Sequence, residues 1–125
     1  MIVFDAVICN TDRHYGNFGF MVDNGTNRIC APAPLFDHGN SLFSLAGKEF
    51  MSSDDNLQQY ADTLQPCVYD DFIETAKQYM NEQNREQLRR LLGFRFKRHL
   101  RYNYSKEYLK RIEKMIQRRA GLLLS

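Results

Sequence analysis

Residues 10–17 are NTDRHYGN and residues 33–39 are APLFDHG. The fold predicted for this chain depends mainly on these two stretches. Between them, residues 18–22 and 28–31 suit two β-strands, and residues 23–26 have the composition of a tight turn. A hairpin brings the chain back towards its starting point. We therefore expect the second stretch to lie beside the first.

Three polar residues in these stretches suit phosphoryl transfer. Enzymes of this class mainly position groups and neutralise charge, with one carboxylate orienting the attacking hydroxyl and oxygen ligands holding Mg²⁺. Asp12 suits the first role. Asn17 follows it after four intervening residues, as in protein-kinase catalytic loops, and pairs with Asp37 as a metal ligand. Taken singly, each is better explained as a turn or loop residue, so it is their order and spacing that favour a catalytic site.

The same residues resemble a known family. The order Asp12-Arg13-His14-x-x-Asn17, then a hairpin, then APLFDHGNSL is similar to the C-terminal lobe of HipA-like serine/threonine kinases. The resemblance covers about residues 3–45. The loop is also similar to that of phosphatidylinositol 3- and 4-kinases, so the loop alone leaves protein and lipid substrates both open.

The resemblance implies a bacterial protein with the fold of a protein-kinase-like C-lobe. It implies transfer of phosphate from ATP, with Mg²⁺, to a serine or threonine of a protein. Asp12 would be the catalytic base, Asn17 and Asp37 would bind Mg²⁺ and the nucleotide, and Arg13 and His14 would brace the loop. From its position between polar residues, we expect His14 to be a buried hydrogen-bonding side chain rather than a proton shuttle. His38 is expected to have the same structural role or to lie at the surface.

Two departures from the family pattern affect the expected activity. His38 stands between Asp37 and Gly39 where kinases have the phenylalanine of Asp-Phe-Gly, and these 125 residues contain no Gly-x-Gly-x-x-Gly loop and no strand with a phosphate-binding lysine. We therefore expect the 125-residue chain alone to be inactive or very weakly active. The alternative is a non-catalytic module that binds a chain carrying the missing N-lobe, or a second copy of itself, through apolar surface such as residues 2–4 and the hairpin.

Composition and cysteine usage predict a cytoplasmic protein. Hydrophobic residues make up 43% and charged residues 26%, as in globular domains. No apolar run approaches the roughly 18 residues that a membrane span requires, and the apolar start is interrupted by Asp5 and lacks a basic segment. Three widely spaced cysteines, Cys9, Cys30 and Cys67, suggest free thiols rather than a disulfide or metal site.

Charge is divided unevenly along the chain. Residues 1–84 contain 4 Lys/Arg and 12 Asp/Glu, whereas residues 85–125 contain 13 and 3, within a net charge of +2. This asymmetry favours basic helices solvated on their outer faces, with a protein partner or nucleic acid as alternatives. Tyr102 and Tyr104 lie in the basic part, where stacking on bases is the alternative to packing between helices.

The chain is predicted to be one α+β unit, mostly helical, with a hairpin beside a helical bundle. Residues 1–45 hold the loops and hairpin, residues 46–66 form a mobile polar segment, and residues 67–125 are helical. Apolar residues at helical spacing define three stripes: Phe72, Ile73, Ala76, Tyr79 and Met80; Leu88, Leu91, Leu92, Phe96 and Leu100; and Tyr108, Leu109, Ile112, Met115, Ile116, Ala120 and Leu123, preceded by Ser105 as a cap.

Overall fold

The computed structural model describes all 125 residues. It contains five α-helices and one two-stranded antiparallel sheet, which confirms the predicted α+β class. The helices are α1 (Ile2–Ile8), α2 (Asp54–Thr63), α3 (Phe72–Tyr79), α4 (Glu82–Leu91) and α5 (Lys106–Leu124), and the strands are β1 (Phe20–Asp23) and β2 (Arg28–Pro32). Short 3₁₀ turns lie at Tyr15–Asn17 and Phe50–Ser52.

Helix α1 was not predicted, because only its apolar character and not its helical form was recognised. It buries Asp5, Ala6, Val7 and Ile8, and it packs against α3 and α5. Cys9 ends it in the left-handed conformation, with a φ of 52°. The Nε of Arg119 in α5 donates to the carbonyl of Ala6. The first and last helices are therefore joined directly at the centre of the fold.

The hairpin exists as predicted, but its first strand begins at Phe20 rather than at residue 18. Phe20 pairs with Pro32 and Asp23 with Arg28, and a bulge interrupts the register between Met21 and Val22. The Asp23 carboxylate accepts hydrogen bonds from the amide and hydroxyl of Thr26, which closes the turn. All of β1 and most of β2 are exposed, so neither face of the hairpin is covered.

The prediction that residues 46–66 form a polar loop is wrong for residues 54–63, which are helical. Helix α2 occupies the centre of this segment, and the Ser53 hydroxyl caps that helix by accepting from the amide of Asn56 at 3.1 Å. Leu57 and Ala61, four residues apart, lie on one helical face and are buried. Tyr60 also packs against the core, and Asp54 pairs with Arg111 and Lys114 of α5, so apolar and charged contacts together dock this largely polar helix.

The helical part follows the predicted stripes except at Tyr79, Leu92 and Leu100, which are exposed. Tyr79 is exposed although it was assigned to a buried face, and α4 ends at Leu91 although the second stripe was expected to reach Leu100. Leu100 is fully exposed. Tyr102 and Tyr104 are exposed and do not pack between helices. The third stripe and its cap are confirmed, because the Ser105 hydroxyl accepts from the amide of Tyr108 at 3.2 Å.

One hydrophobic core joins all five helices. It includes Ala6, Val7, Leu57, Phe72, Ala76, Leu88, Ile112, Ile116, Ala120 and Leu123, with Phe43 from the loop after the hairpin. None of the helices combines the length and the apolar composition needed to cross a bilayer.

Candidate functional site

The loop that follows α1 is fixed by side chains that pair with its backbone. Asn10 is fully buried; its Nδ2 donates to Asp5 at 3.2 Å, and its Oδ1 accepts from the amide of Asp12 at 3.1 Å. The carbonyl of Asp12 accepts from the amide of His14 at 3.0 Å and from Nδ2 of Asn17 at 2.8 Å. The backbone of Asp12 is therefore held on both sides.

Arg13 and Asp5 form a buried ion pair at the base of this loop. Arg13 is 1% exposed and Asp5 is fully buried. The Nε and Nη2 atoms of Arg13 donate to the two carboxylate oxygens of Asp5, both at 2.9 Å. The hydrogen bond to Asp5 raises the pKa of Arg13 against the opposing effect of burial, and the charges of Asp5 and Asp37 add to the increase. A bidentate pair of this kind fixes orientation as well as distance.

The same guanidinium joins the loop to the stretch that follows the hairpin. Arg13 Nη1 donates to the carbonyls of Asn17 at 2.7 Å and Phe36 at 2.8 Å. Its Nη2 lies 3.0 Å from Nδ1 of His38, which must accept because a guanidinium only donates. Phe36 and His38 lie on either side of Asp37. Arg13 therefore ties both of them to Asn17, which lies just before the hairpin.

Asp12 and Asn17 each have side-chain oxygens without a hydrogen-bond partner in the protein. Asn17 is 4% exposed, and its Nδ2 is occupied by the carbonyl of Asp12, which leaves its Oδ1 without a hydrogen bond from the protein. The carboxylate of Asp12 is partly exposed and forms no hydrogen bond or ion pair. Both oxygens are available to a ligand.

Asp37 is exposed and has a left-handed backbone, with a φ of 56°. Cys9, Leu42 and Phe43, which flank the two loops, also have positive φ, and Gly39 does not. The amide of Leu42 donates to the carbonyl of Ile8 at 2.7 Å. Strained backbone of this kind persists only where surrounding structure imposes it, and it clusters at functional sites.

The two histidines have different environments. His14 is exposed, so the expectation that it is buried is wrong; its Nδ1 accepts from the amide of Gly16 at 3.0 Å and shapes the loop from outside. A Cβ at Gly16 would lie 2.9 Å from the His14 ring, which explains a glycine there. His38 is partly buried, and its ring packs edge-on against Phe4 with centroids 5.2 Å apart.

Sequence reasoning missed Asp5 and Asn10, the buried residues on which the loop depends. In the sequence, Asp5 interrupts an apolar run. A single carboxylate inside the run IVFDAVI is itself a signal, because a buried charge requires a partner. Arg13 is the nearest cation along the sequence.

The donors present suit a hard cation held by few protein ligands. No cluster of three or more histidine, cysteine or acidic side chains is gathered anywhere in the chain. An amide oxygen and a carboxylate are the ligand types that Mg²⁺ accepts while it keeps water and phosphate oxygens in its shell. Cys9 lies next to the loop, but burial raises the pKa of its thiol to about 11, which makes it a poor nucleophile.

Comparisons of this chain with protein-family models, with curated proteins and with solved structures found no match.

Proposed function

We propose that this chain carries the catalytic-loop and metal-binding half of a kinase-like site that transfers phosphate from ATP to a hydroxyl. We also propose that its fold is a C-terminal lobe similar to that of HipA-like kinases. The single observation that supports it best is the Arg13 side chain, which binds the Asn17 and Phe36 carbonyls with one nitrogen. It brings together the two stretches that the sequence motif requires to be neighbours.

In this proposal Asp12 receives or orients the proton of the attacking hydroxyl. Its carboxylate has no protein partner, while its backbone is held by Asn10, His14 and Asn17. A free carboxylate on a fixed backbone is what a general base requires, because it must meet the substrate without first breaking a bond to the protein.

Asn17 and Asp37 hold the metal and, through it, the phosphates. A bound Mg²⁺ neutralises charge on the phosphates and fixes their orientation. The chain's own contribution is to present one amide oxygen and one carboxylate from two segments that Arg13 keeps in register. ATP as the donor and the three unpaired cysteines both favour a cytoplasmic location.

These 125 residues hold the nucleotide from one side. A glycine-rich loop and a phosphate-binding lysine would come from an N-lobe, either on another chain or on another part of a longer protein. Without them we expect weak binding of Mg-nucleotide and little or no turnover, because misplaced reactants lose most of the advantage of proximity.

A thermal-shift measurement with millimolar MgADP or MgATP tests the binding step. Nucleotide at about ten times its Kd raises the free energy of unfolding by about 1.4 kcal/mol. For a domain of this size, that raises Tm by roughly 5 °C. We expect this shift to be lost with EDTA and in Asp37→Asn. It should persist in the control Asp70→Asn, which neutralises an exposed aspartate that has no ion-pair partner.

Asp12→Asn separates binding from chemistry. It should keep the nucleotide-dependent shift and abolish any phosphoryl transfer that a complementing lobe restores. Absence of a shift in the wild type at millimolar Mg-nucleotide, or an equal shift in Asp37→Asn, would contradict the proposal. Rapid turnover by the purified chain alone would contradict only the expectation that it is inactive.

One observation favours the second candidate, a self-associating module. The two outer edges of the hairpin are unpaired, and Phe20, Met21, Val22 and Ile29 are 45–67% exposed. Strand β1 contains no proline or lysine of the kind that protects an edge, so a second copy can pair with it. Light scattering should then show a dimer that Val22→Lys converts to monomer, whereas a wild-type monomer at high concentration excludes this candidate.

A further inference from the structure

The segment between α4 and α5, residues 93–105, borders a cavity of about 510 Å³ that is separate from the loops described above. Its walls are aromatic and basic, and they include Phe96, Lys97, His99, Arg101, Tyr102 and Tyr104. A volume of this size suits a ligand of nucleotide dimensions.

A buried carboxylate anchors this segment to α5. Glu113 is 1% exposed, and its Oε1 accepts from the amide of Phe96 at 3.0 Å. Arg98 pairs with the same oxygen at 3.0 Å, and Arg95 reaches the other oxygen at 3.5 Å. Arg95 and Arg98 are therefore committed to Glu113, whereas Lys97 between them forms no ion pair.

The outer part of the segment is a loop closed by its own hydrogen bonds. Asn103 Oδ1 accepts from the amide of His99 at 2.9 Å, and its Nδ2 donates to the carbonyl of His99 at 2.6 Å. His99 Nδ1 accepts from the amides of Arg101 and Tyr102, each at 3.1 Å. The loop is thus fixed although nearly all of it is exposed.

Two tyrosine rings in this segment each stack on a neighbouring ring with one face and expose the other face to solvent. Tyr102 stacks on His99 with centroids 5.4 Å apart and is 79% exposed. Tyr104 stacks on Tyr108 with centroids 4.9 Å apart and is 71% exposed. Each ring is supported on one face by a neighbour, so its position is set before any ligand arrives.

The charge around these rings is positive and largely uncompensated. Lys97 and Arg101 line the cavity, and neither forms an ion pair. Of the three acidic residues after residue 84, Glu113 is buried and paired with Arg95 and Arg98, Glu86 pairs with Arg90, and Glu107 is exposed at the start of α5 without an ion pair. The surface offers cations to an anion and flat faces to an aromatic group.

We propose that this surface binds single-stranded nucleic acid, with bases stacked on Tyr102 and Tyr104 and phosphates on Lys97 and Arg101. Single-strand recognition combines aromatic platforms with cations that follow the phosphate backbone. An acidic protein would bind the cations but would not need the exposed tyrosine rings. In a duplex the faces of the bases are covered by neighbouring base pairs, so they cannot stack on the rings. This site is independent of the phosphoryl-transfer site.

Fluorescence anisotropy with a labelled 12-nucleotide oligo-uridine, measured between 20 and 200 mM salt, tests the proposal. We expect Tyr102→Ala to weaken binding about fivefold or more, as for the loss of one stacked base, and Tyr102→Phe to retain it. Lys97→Ala with Arg101→Ala should reduce the slope of log K against log salt by about 0.7 per cation.

Matched controls remove the same groups elsewhere. Tyr79→Ala deletes another exposed tyrosine, and Arg118→Ala deletes another exposed arginine without an ion pair; both should bind as the wild type does. No binding at 20 mM salt would overturn the proposal. So would equal affinity for a duplex of the same length, or a loss caused by the cation variants but not by Tyr102→Ala, which would indicate a general polyanion surface.

Discussion

Two irregular regions of this molecule, the loops around Asp12 and Asp37 and the segment before α5, are each anchored by a buried carboxylate. The two carboxylates differ in how far their arginine partners are buried. In the loops around Asp12 and Asp37, both members of the ion pair are buried, with Asp5 at 0% and Arg13 at 1% exposure. In the segment before α5, Glu113 is buried, but its partners Arg95 and Arg98 are 67% and 39% exposed. A fully buried pair fixes both segments that it joins, whereas a half-buried one anchors a single point and leaves the rest of the segment open to solvent.

The largest effect is expected from breaking the fully buried pair. Asp5→Ala leaves Arg13 charged and buried, and removal of one member of such a pair costs about 3–5 kcal/mol. Urea denaturation measures the loss. Asp12→Ala is the control: its carboxylate has no hydrogen bond or ion pair in the protein, so its effect should stay within about 0.5 kcal/mol. A loss below about 1 kcal/mol in Asp5→Ala would show that the pair does not support the loops.

A smaller effect is expected from the half-exposed anchor. Glu113→Ala removes the acceptor of the Phe96 amide, but water can solvate the exposed arginines, so we expect a loss of about 2 kcal/mol. Hydrogen exchange should also speed up at Phe96. Glu86→Ala breaks an exposed pair with Arg90 and should cost no more than about 0.5 kcal/mol, because surface pairs at this spacing contribute little. Equal losses in the two variants would contradict the comparison.

The smallest effect concerns pH and is expected from Cys9, the residue that ends α1 next to the first region. Burial raises the pKa of Cys9 from 9.0 to about 11, so the folded state disfavours the thiolate. The resulting stability is fully present below pH 9 and is lost as pH rises from 9 to 11. Between pH 8 and 10 the free energy of unfolding should fall by about 1 kcal/mol. Urea titrations should show that Cys9→Ala flattens this part of the profile, whereas Cys67→Ala, at an exposed site, does not. A profile equally steep in Cys9→Ala would exclude burial of this thiol as the cause.

Local signals made part of the structure predictable from the sequence. The hairpin follows from turn residues between apolar strands, and α5 follows from apolar spacing behind a capping serine. Helix α4 ends at Leu91, and Gly93 just beyond it is a local signal for that end, because glycine is unfavourable inside a helix. The path of the segment after α4 is not visible locally, because the Phe96 amide donates to Glu113, 17 residues later in the chain.

The candidate site was predictable as a set of residue types but not as a geometry. The order of Asp12, Asn17 and Asp37 is visible in the sequence. The contacts of Arg13 with the carbonyls of Asn17 and Phe36 are not, because backbone acceptors are the same at every position. His14 was misplaced since its spacing suggested burial, whereas its ring bonds the nearby Gly16 amide from the solvent side.

The Nη1 atom of Arg13 also sets how the chain can vary in length. It binds the carbonyls of the residues that flank residues 18–35, so the two ends of the hairpin segment are held close together. Residues added at its turn lengthen a loop whose ends are already tied together, and each doubling of such a loop costs only about 0.6 kcal/mol in chain entropy. The hairpin is therefore where this protein can accept insertions while Asp12, Asn17 and Asp37 keep their places.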